Sequence, residues 1–325
     1  MTSAFLTGGT GFVGGALLER LVAAGYQIRA LARTPAGCSL LEDAGAAPIL
    51  GDLSLVAPLT AAVEDCELVF HVAGVNEMCS RSPRAMFETN VTGTRNVVRA
   101  AAAAGARRVV FTSSAAALGE RHGTVGDEDS EHRGRYLSQY ERSKRVGEIT
   151  AFTTGDRAGV EVVAVNPSSV HGPGRLGGSA RLLLEALRAG RPWLVDSAVS
   201  FVDVADCSEG HLLAATRGRA GSRYVLNGAS LHVGDLVAMM QEVAGVEVAP
   251  RMVPRWLART AGFPAAWAAN RLGRSTALCP EVVRTLLHGH RYDGSRAERE
   301  LGLAYTAPQE TVRRTVDWYR AEGLL

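Results

Sequence analysis

Short apolar runs alternate with longer amphipathic stretches through the first half of this chain. The runs at Ala4–Thr7, Gln27–Ala32, Ala47–Leu50, Leu68–Val72, Arg108–Thr112 and Glu161–Asn166 are rich in Val, Leu, Ile and Phe. That texture predicts strands buried on both faces. Helical stretches separate them at Gly14–Ala24, near Leu55–Val63, at Ala85–Ala104 and at about Gly134–Thr153. Repeated strand–helix–strand units predict an α/β fold with a doubly wound parallel sheet and right-handed crossovers. Ligands of such sheets bind beyond the carboxyl ends of the strands.

After Pro167 the pattern changes. A glycine-rich loop, Val170–Gly178, leads to an expected helix at Ser179–Ala189, a strand at Val199–Val202, a helix at Ala205–Arg217 and a strand at Arg223–Leu226. Mostly helical sequence follows. The expectation is a first domain over residues 1–170 and a smaller, mostly helical substrate lobe over 171–325. The lobe is partly interleaved, with Val199–Arg217 able to return to the first domain.

The first strand runs directly into Thr7-Gly8-Gly9-Thr10-Gly11-Phe12-Val13-Gly14, and an amphipathic helix follows. In this setting Gly8 permits a tight turn, Gly11 lets backbone approach a pyrophosphate, and Gly14 lets helix pack on strand. Phosphates then sit on the helix N-terminus, where free N–H groups favour anions. A dinucleotide site is expected here.

Composition narrows the partners. The 325 residues are 46% hydrophobic and 21% charged, with a net charge of +2, which describes a globular chain without a basic face for nucleic acid. Five cysteines, Cys38, Cys66, Cys79, Cys207 and Cys279, are scattered with no C-x-x-C pair. A disulfide framework or zinc site is therefore not expected, and a reducing compartment fits. No leader pattern or membrane-length apolar run is visible, so a cytoplasmic location is expected. The apolar segment Trp256–Asn270, broken by Arg259 and Pro264, reads as a packed helix. His122 and His132 in the polar loop Gly119–Gly134, and His288 and His290 around a glycine, have no ligand spacing. They are expected to be solvated, with no metal.

Candidate chemistry lies in three residues. Tyr140 and Lys144 are four apart on a helix and project from one face. An ammonium near a phenol favours phenolate and lowers its pKa from about 10. Ser114 ends the fifth strand, where a hydroxyl can hydrogen-bond a substrate carbonyl; Ser113 is its rival. Asp203 and Asp206 stand where a helix begins and are expected to cap it.

In combination these motifs resemble the extended short-chain dehydrogenase/reductase family over nearly the whole chain. The resemblance rests on the Gly8, Gly11 and Gly14 loop, Gly51-Asp52-Leu53, Phe70-His71-Val72-Ala73-Gly74, Asn90-Val91-Thr92-Gly93-Thr94, Thr112-Ser113-Ser114-Ala115, Tyr140-x-x-x-Lys144 and Asn166-Pro167-Ser168-Ser169-Val170-His171-Gly172-Pro173. It implies a Rossmann-type fold with Ser114, Tyr140 and Lys144 catalytic. Asp52 and Leu53 would lie on the adenine side, and Val72, Ala73, Gly74 and Thr112 beside the cofactor. Tyr140 and Lys144 would also touch the cofactor, and Pro167 and Val170 would border the nicotinamide. The subgroup it most resembles holds dihydroflavonol reductase-like enzymes and hopanoid-associated sugar epimerase-like proteins. Family members dimerise through a four-helix bundle, which here would use Ala85–Ala104 and Gly134–Thr153. Where sugar 4,6-dehydratases carry Thr-Asp-Glu, this chain has Ser114-Ala115-Ala116, so the acid pair for dehydration is missing.

The second strand ends Leu31-Ala32-Arg33 rather than in Asp or Glu. A small residue followed by a guanidinium suits a 2′-phosphate, so NADP is favoured over NAD. The expected activity is NADPH-dependent reduction of a ketone or aldehyde of a small, apolar or aromatic metabolite. The alternatives are a nucleotide-sugar epimerase that retains its cofactor and a nonenzymatic NADP-binding regulator.

Overall fold

The structure is a computed structural model, and it describes the chain except residues 1, 81, 178–179, 181–183, 186, 189, 261–263, 265–270 and 272–278. Most of the expected helix Ser179–Ala189 and of the segment Trp256–Asn270 therefore lies outside the described residues.

In chain order, β1 (Ser3–Thr7), α1 (Phe12–Ala23), β2 (Gln27–Ala32), α2 (Pro35–Asp43), β3 (Ala47–Leu50), α3 (Val56–Val63) and β4 (Leu68–His71) come first. Next are α4 (Pro83–Phe87), a wide π turn at Glu88–Gly93, α5 (Thr94–Ala103), β5 (Arg108–Thr112), a 3₁₀ turn at Ala115–Leu118, α6 (Gln139–Ala158), β6 (Glu161–Pro167) and β7 (Ser169–His171). The rest comprises β8 (Trp193–Val195), β9 (Ala198–Asp203), α7 (Val204–Arg217), β10 (Arg223–Leu226), β11 (Ala229–His232), α8 (Val233–Ala244), β12 (Arg251–Val253), α9 (Pro280–His288), a π turn at Ala297–Leu301 and α10 (Pro308–Ala321).

Seven parallel strands form the main sheet in the order β10-β6-β5-β4-β1-β2-β3. Successive side chains of a strand point to opposite faces, and the core divides accordingly. Ala4, Leu6, Val110 and Val163 join Leu17 and Leu18 of α1 and Leu213 of α7. Phe5, Val109 and Val162 join Leu59 of α3, Val97 and Val98 of α5 and Ala151 of α6. Each fully buried Val, Leu or Phe among these contributes about 1.5–3 kcal/mol. Pro48 is accommodated because β3 is an edge strand, where a missing N–H breaks no ladder.

The strand order reverses between β1 and β4, which opens a crevice at their carboxyl ends. The chain returns to this sheet after residue 171. Helix α7 packs beside α1, and β10 pairs with β6 from Arg223↔Ala164 to Leu226↔Pro167. The side chain of Arg108 fastens this return by donating to the Ala214 and Ala215 carbonyls near the end of α7. Where the pattern predicts a mostly helical lobe, two smaller sheets occur as well, β11-β9-β7 and β12-β8. Helices α8 and α10 cover the first of these around Leu236, Met240, Val312 and Val316.

Helix α6 begins at Gln139 rather than near Gly134. Gly134 adopts φ +80°, and Ser138 stops the loop by accepting from the Glu141 N–H at 3.1 Å. Glu141 reaches back to the Leu137 N–H, a variant of the reciprocal capping box. The four-residue spacing of Tyr140 and Lys144 is preserved within the first two turns of the helix.

Candidate active site

The glycine turn has the shape that phosphate binding requires. Gly8 has φ +80°, in the left-handed region that favours glycine, and its carbonyl accepts from the Gly11 N–H at 3.0 Å. A Cβ on Gly8 would stand 2.6 Å from the Ala73 nitrogen, and one on Gly14 only 2.0 Å from the Gly8 oxygen. No side chain caps α1 at Gly11, so its first N–H groups remain open to an anion.

His71 holds the opposite wall. Thr94 donates to the Asn90 carbonyl at 2.8 Å, so it accepts from Nε2–H of His71 at 3.0 Å. Nδ1 of His71 then accepts from the Thr7 hydroxyl at 2.8 Å, and Thr7 Oγ1 accepts from the Ala73 N–H at 3.2 Å. One directed chain thus ties β1, β4 and the loop Val72–Gly74. Burial keeps His71 neutral, with its pKa lowered to about 3.

Ser114 and Tyr140 line the same cavity. Ser114 also accepts from the Ala116 N–H at 3.3 Å at the start of the 3₁₀ turn. The rival Ser113 hydroxyl is buried with no hydrogen-bond partner. Lys144 is buried and donates from Nζ to the Thr112 carbonyl at 3.0 Å. Burial lowers its pKa to about 8.

The expected lowering of the Tyr140 pKa by Lys144 is not seen. Burial raises it, opposed by the Ser114 side chain and by the positive charge of Arg175. The reason is geometric: the ammonium is turned to the Thr112 carbonyl. Arg175, which follows Gly172-Pro173-Gly174, was missed by sequence reasoning. It bonds the Val170 carbonyl and stands 5.7 Å from the Phe12 ring centroid.

Asn90 supports the Tyr140 helix from the π turn. Its Oδ1 accepts from the Val75 N–H at 2.7 Å, and Nδ2 donates to the Val75 carbonyl and the Ser143 hydroxyl, both at 2.9 Å. Ser143 in turn donates to the Tyr140 carbonyl at 2.8 Å. A π turn placed at such a junction is typical of functional sites.

Ser113, Ser114, Tyr140, Lys144 and Arg175 border one cavity of about 2160 Å³, as does every site residue singled out between Gly8 and Val170. A pocket for one drug-sized ligand spans about 300–1,000 Å³, so this cavity has room for a dinucleotide and a substrate together. Arg33 borders it at the end of β2, exposed and with no partner among the described residues. Arg29, on the same strand, instead donates to the Glu64 carbonyl. The Asp52 carboxylate accepts from the Ser54 N–H and hydroxyl, which lower its pKa.

Two sequence expectations are corrected. Cys79 and Cys279 form a disulfide across 200 residues of sequence. Spacing cannot reveal this pair, because only the fold brings the loop after β4 to the start of α9, and the scattered pattern no longer argues for a reducing compartment. Both cysteines border the cavity. Beside them one Glu281 oxygen accepts from the Cys79 N–H and the other from the Gln139 N–H, each at 2.9 Å. The histidines are the second correction. His288 is buried, and it and His290 both contact Glu120. His122 bonds the His288 carbonyl at 2.8 Å, and His132 packs against Tyr136. In the loop Gly119–Gly134, residues 121–125 stand exposed, His122 among them as expected, whereas Glu120, Gly126 and Glu128 are buried.

Asp203 does cap α7, accepting from the Ala205 N–H at 2.8 Å while its other oxygen meets Arg314 at 2.6 Å. Asp206 accepts from the N–H and hydroxyl of Thr306, both at 2.7 Å. Neither carboxylate borders the cavity.

Comparisons with known proteins agree with this architecture. The NAD dependent epimerase/dehydratase family matches residues 4–227. A Synechocystis protein provisionally named dihydroflavonol 4-reductase is 32% identical, covering 98% of this chain and 95% of its own. Sterol demethylase protein B of Methylococcus capsulatus is 30% identical, covering 98% and 99%. Among solved structures, gox2253 is 29% identical with a TM-score of 0.86 and complete coverage of both chains. PA4631, a nucleoside-diphosphate-sugar epimerase from Pseudomonas aeruginosa, is 25% identical with a TM-score of 0.80, covering 100% and 99%. Among the described residues no helix is long and apolar enough to cross a membrane.

Proposed function

Because the chain belongs to the NAD dependent epimerase/dehydratase family of extended short-chain dehydrogenases/reductases, we propose that it is an NADPH-dependent reductase of a ketone or aldehyde. Its substrate is a small, apolar or aromatic metabolite. The observation that carries this reading is that Ser114, Tyr140 and Lys144 all border the cavity shared with the glycine turn.

The residues around the crevice fit a dinucleotide. The open N-terminus of α1 and the Gly8–Gly14 turn would hold the pyrophosphate, and Asp52 and Leu53 would face the adenine. Val72, Ala73, Gly74 and Thr112 would lie along the cofactor, with Pro167 and Val170 beside the nicotinamide. A bound nicotinamide supplies the hydride. Ser114 holds the substrate carbonyl oxygen by a hydrogen bond, which stabilises negative charge as it develops there. Tyr140 gives that oxygen its phenolic proton, and its raised pKa keeps the proton in place at neutral pH. Lys144 holds the ribose hydroxyls. Arg33 pairs with the 2′-phosphate, a role supported by its unpaired guanidinium at the end of β2.

Relatives named as reductases support reduction of a carbonyl, and Ser114-Ala115-Ala116 leaves no acid pair for dehydration. In this reading the cofactor occupies the domain built on residues 1–170, and the lobe over 171–325 takes the substrate. A homodimer through a four-helix bundle of α4–α5 and α6 is part of the proposal, and Ile149, exposed on α6, supports it.

The test is to assay purified protein with NADPH against a panel of ketones and aldehydes. Consumption of NADPH that is lost in Tyr140→Phe, with cofactor binding intact, supports the proposal. Cofactor that survives purification, with no net NADPH consumption, favours an epimerase and overturns it.

A further inference from the structure

We propose that Glu120, His288 and His290 form a binding site for a first-row divalent cation such as Zn²⁺, built into the wall of the cavity. One oxygen of Glu120, Oε1, lies 2.5 Å from Nδ1 of His290 and 3.1 Å from Nε2 of His288. The three ligand atoms all lie within 4.8 Å of one another. In zinc sites with bonds of about 2.0–2.1 Å, tetrahedral angles separate the donors by about 3.3 Å. Changes of up to about 1.5 Å in the separations between donors therefore bring the set to coordination geometry.

The arrangement differs from a simple hydrogen-bonded latch. A buried carboxylate is best satisfied when both of its oxygens have partners. Here both imidazoles converge on Oε1, while Oε2 is buried with no partner. A cation at the convergence point uses all three donors and gives the buried carboxylate an opposite charge. Imidazole with carboxylate is a donor set suited to zinc and its neighbours in the first transition row.

The backbone presents these side chains from two directions. Gly289, at φ +68°, reverses the chain after α9, so the histidines on either side of it both meet Glu120. The His290 carbonyl accepts from the Ser200 hydroxyl at 2.9 Å, and the His288 carbonyl from Nδ1–H of His122 at 2.8 Å. The ligands are thus anchored from behind.

Glu120 and His288 form the buried rear of the site, while His290 and Tyr292 border the cavity that holds Ser114 and Tyr140. Three protein donors leave a coordination position toward that cavity, the pattern of sites that admit an outside oxygen. The Tyr292 hydroxyl lies 2.9 Å from Nδ1 of His290. A cation here anchors a hydroxyl, carbonyl or carboxylate oxygen of the substrate away from the reacting carbon.

The test uses the full chain, stripped with a chelator, dialysed and titrated with Zn²⁺ and Co²⁺. One tight equivalent is expected, with weaker binding as the pH falls and the imidazoles protonate. Glu120→Gln and His290→Gln should each weaken binding at least tenfold, with circular dichroism reporting that they fold. X-ray absorption of the zinc-loaded native protein decides the matter even if the variants do not fold. A first shell of nitrogen and oxygen with two imidazoles supports the site. A sulfur shell, no tight equivalent, or unchanged binding in both folded variants overturns it.

Discussion

Tyr140, in the first turn of α6, and Ser114, just past the end of β5, line one cavity. If this pair delivers the proton and steadies the oxygen, its two halves separate by mutation. Tyr140→Phe should lower kcat by about 10²–10⁴-fold, and Ser114→Ala by about 10²–10³-fold. NADPH affinity, measured by fluorescence titration, should change little in either variant.

Arg33 should decide between the two nicotinamide cofactors. Arg33→Ala should raise the Kd for NADPH by about tenfold or more, the loss of one charged hydrogen-bonded pair. NADH binding should stay nearly constant. Equal effects on both cofactors would remove Arg33 from the 2′-phosphate.

Three buried histidines make the fold acid-sensitive. Burial lowers His71 and His171 to about 3 and His211 to about 4. His211 accepts from the Thr112 hydroxyl at 2.8 Å because its Nδ1–H donates to the Cys207 carbonyl. All three folded-state values lie below the ordinary value of about 6.5, so the unfolded chain binds more protons between the two. Stability present above pH about 6.5 is therefore lost as pH falls, by about 1.4 kcal/mol per pH unit for each fully linked histidine. Urea midpoints recorded from pH 7.5 down to about 5 should fall steadily, and His211→Gln should flatten the slope.

The disulfide should be visible by thiol counting and by melting. Denatured without reductant, the chain should titrate with three free thiols, Cys38, Cys66 and Cys207. Closing a loop of 200 residues is worth up to about 5 kcal/mol in the chain-entropy model. Reductant or Cys279→Ser should lower Tm by several degrees, read by differential scanning calorimetry.

The parallel sheet and the glycine turn were legible because each depends on local pattern. Phe5 and Leu6 face opposite layers simply because strand side chains alternate. Tyr140, Lys144 and Ser114 were legible through spacing and position at a strand end. Helix α2 was overlooked although Thr34-Pro35 marks its start, with Thr34 accepting from the Gly37 N–H at 3.1 Å. Other features are set by contacts distant in sequence. The pairing of β10 with β6, the meeting of Glu120 with residues 288 and 290, and the Arg175 charge near Tyr140 leave no periodic trace. The pKa of Tyr140 was misjudged because helical spacing places Lys144 on the right face but does not say what its ammonium touches.

Glu281 has a consequence for how the cavity responds to its contents. One carboxylate holds both the loop that carries Cys79 and the first N–H of the helix that carries Tyr140. A ligand that shifts the start of α9 would therefore act on both holds at once. Substrate occupancy and the setting of the proton donor become thermodynamically linked, each reporting on the other with equal strength. A molecule lodged at the cavity mouth, out of reach of the phenol, would still alter how firmly the phenol is presented.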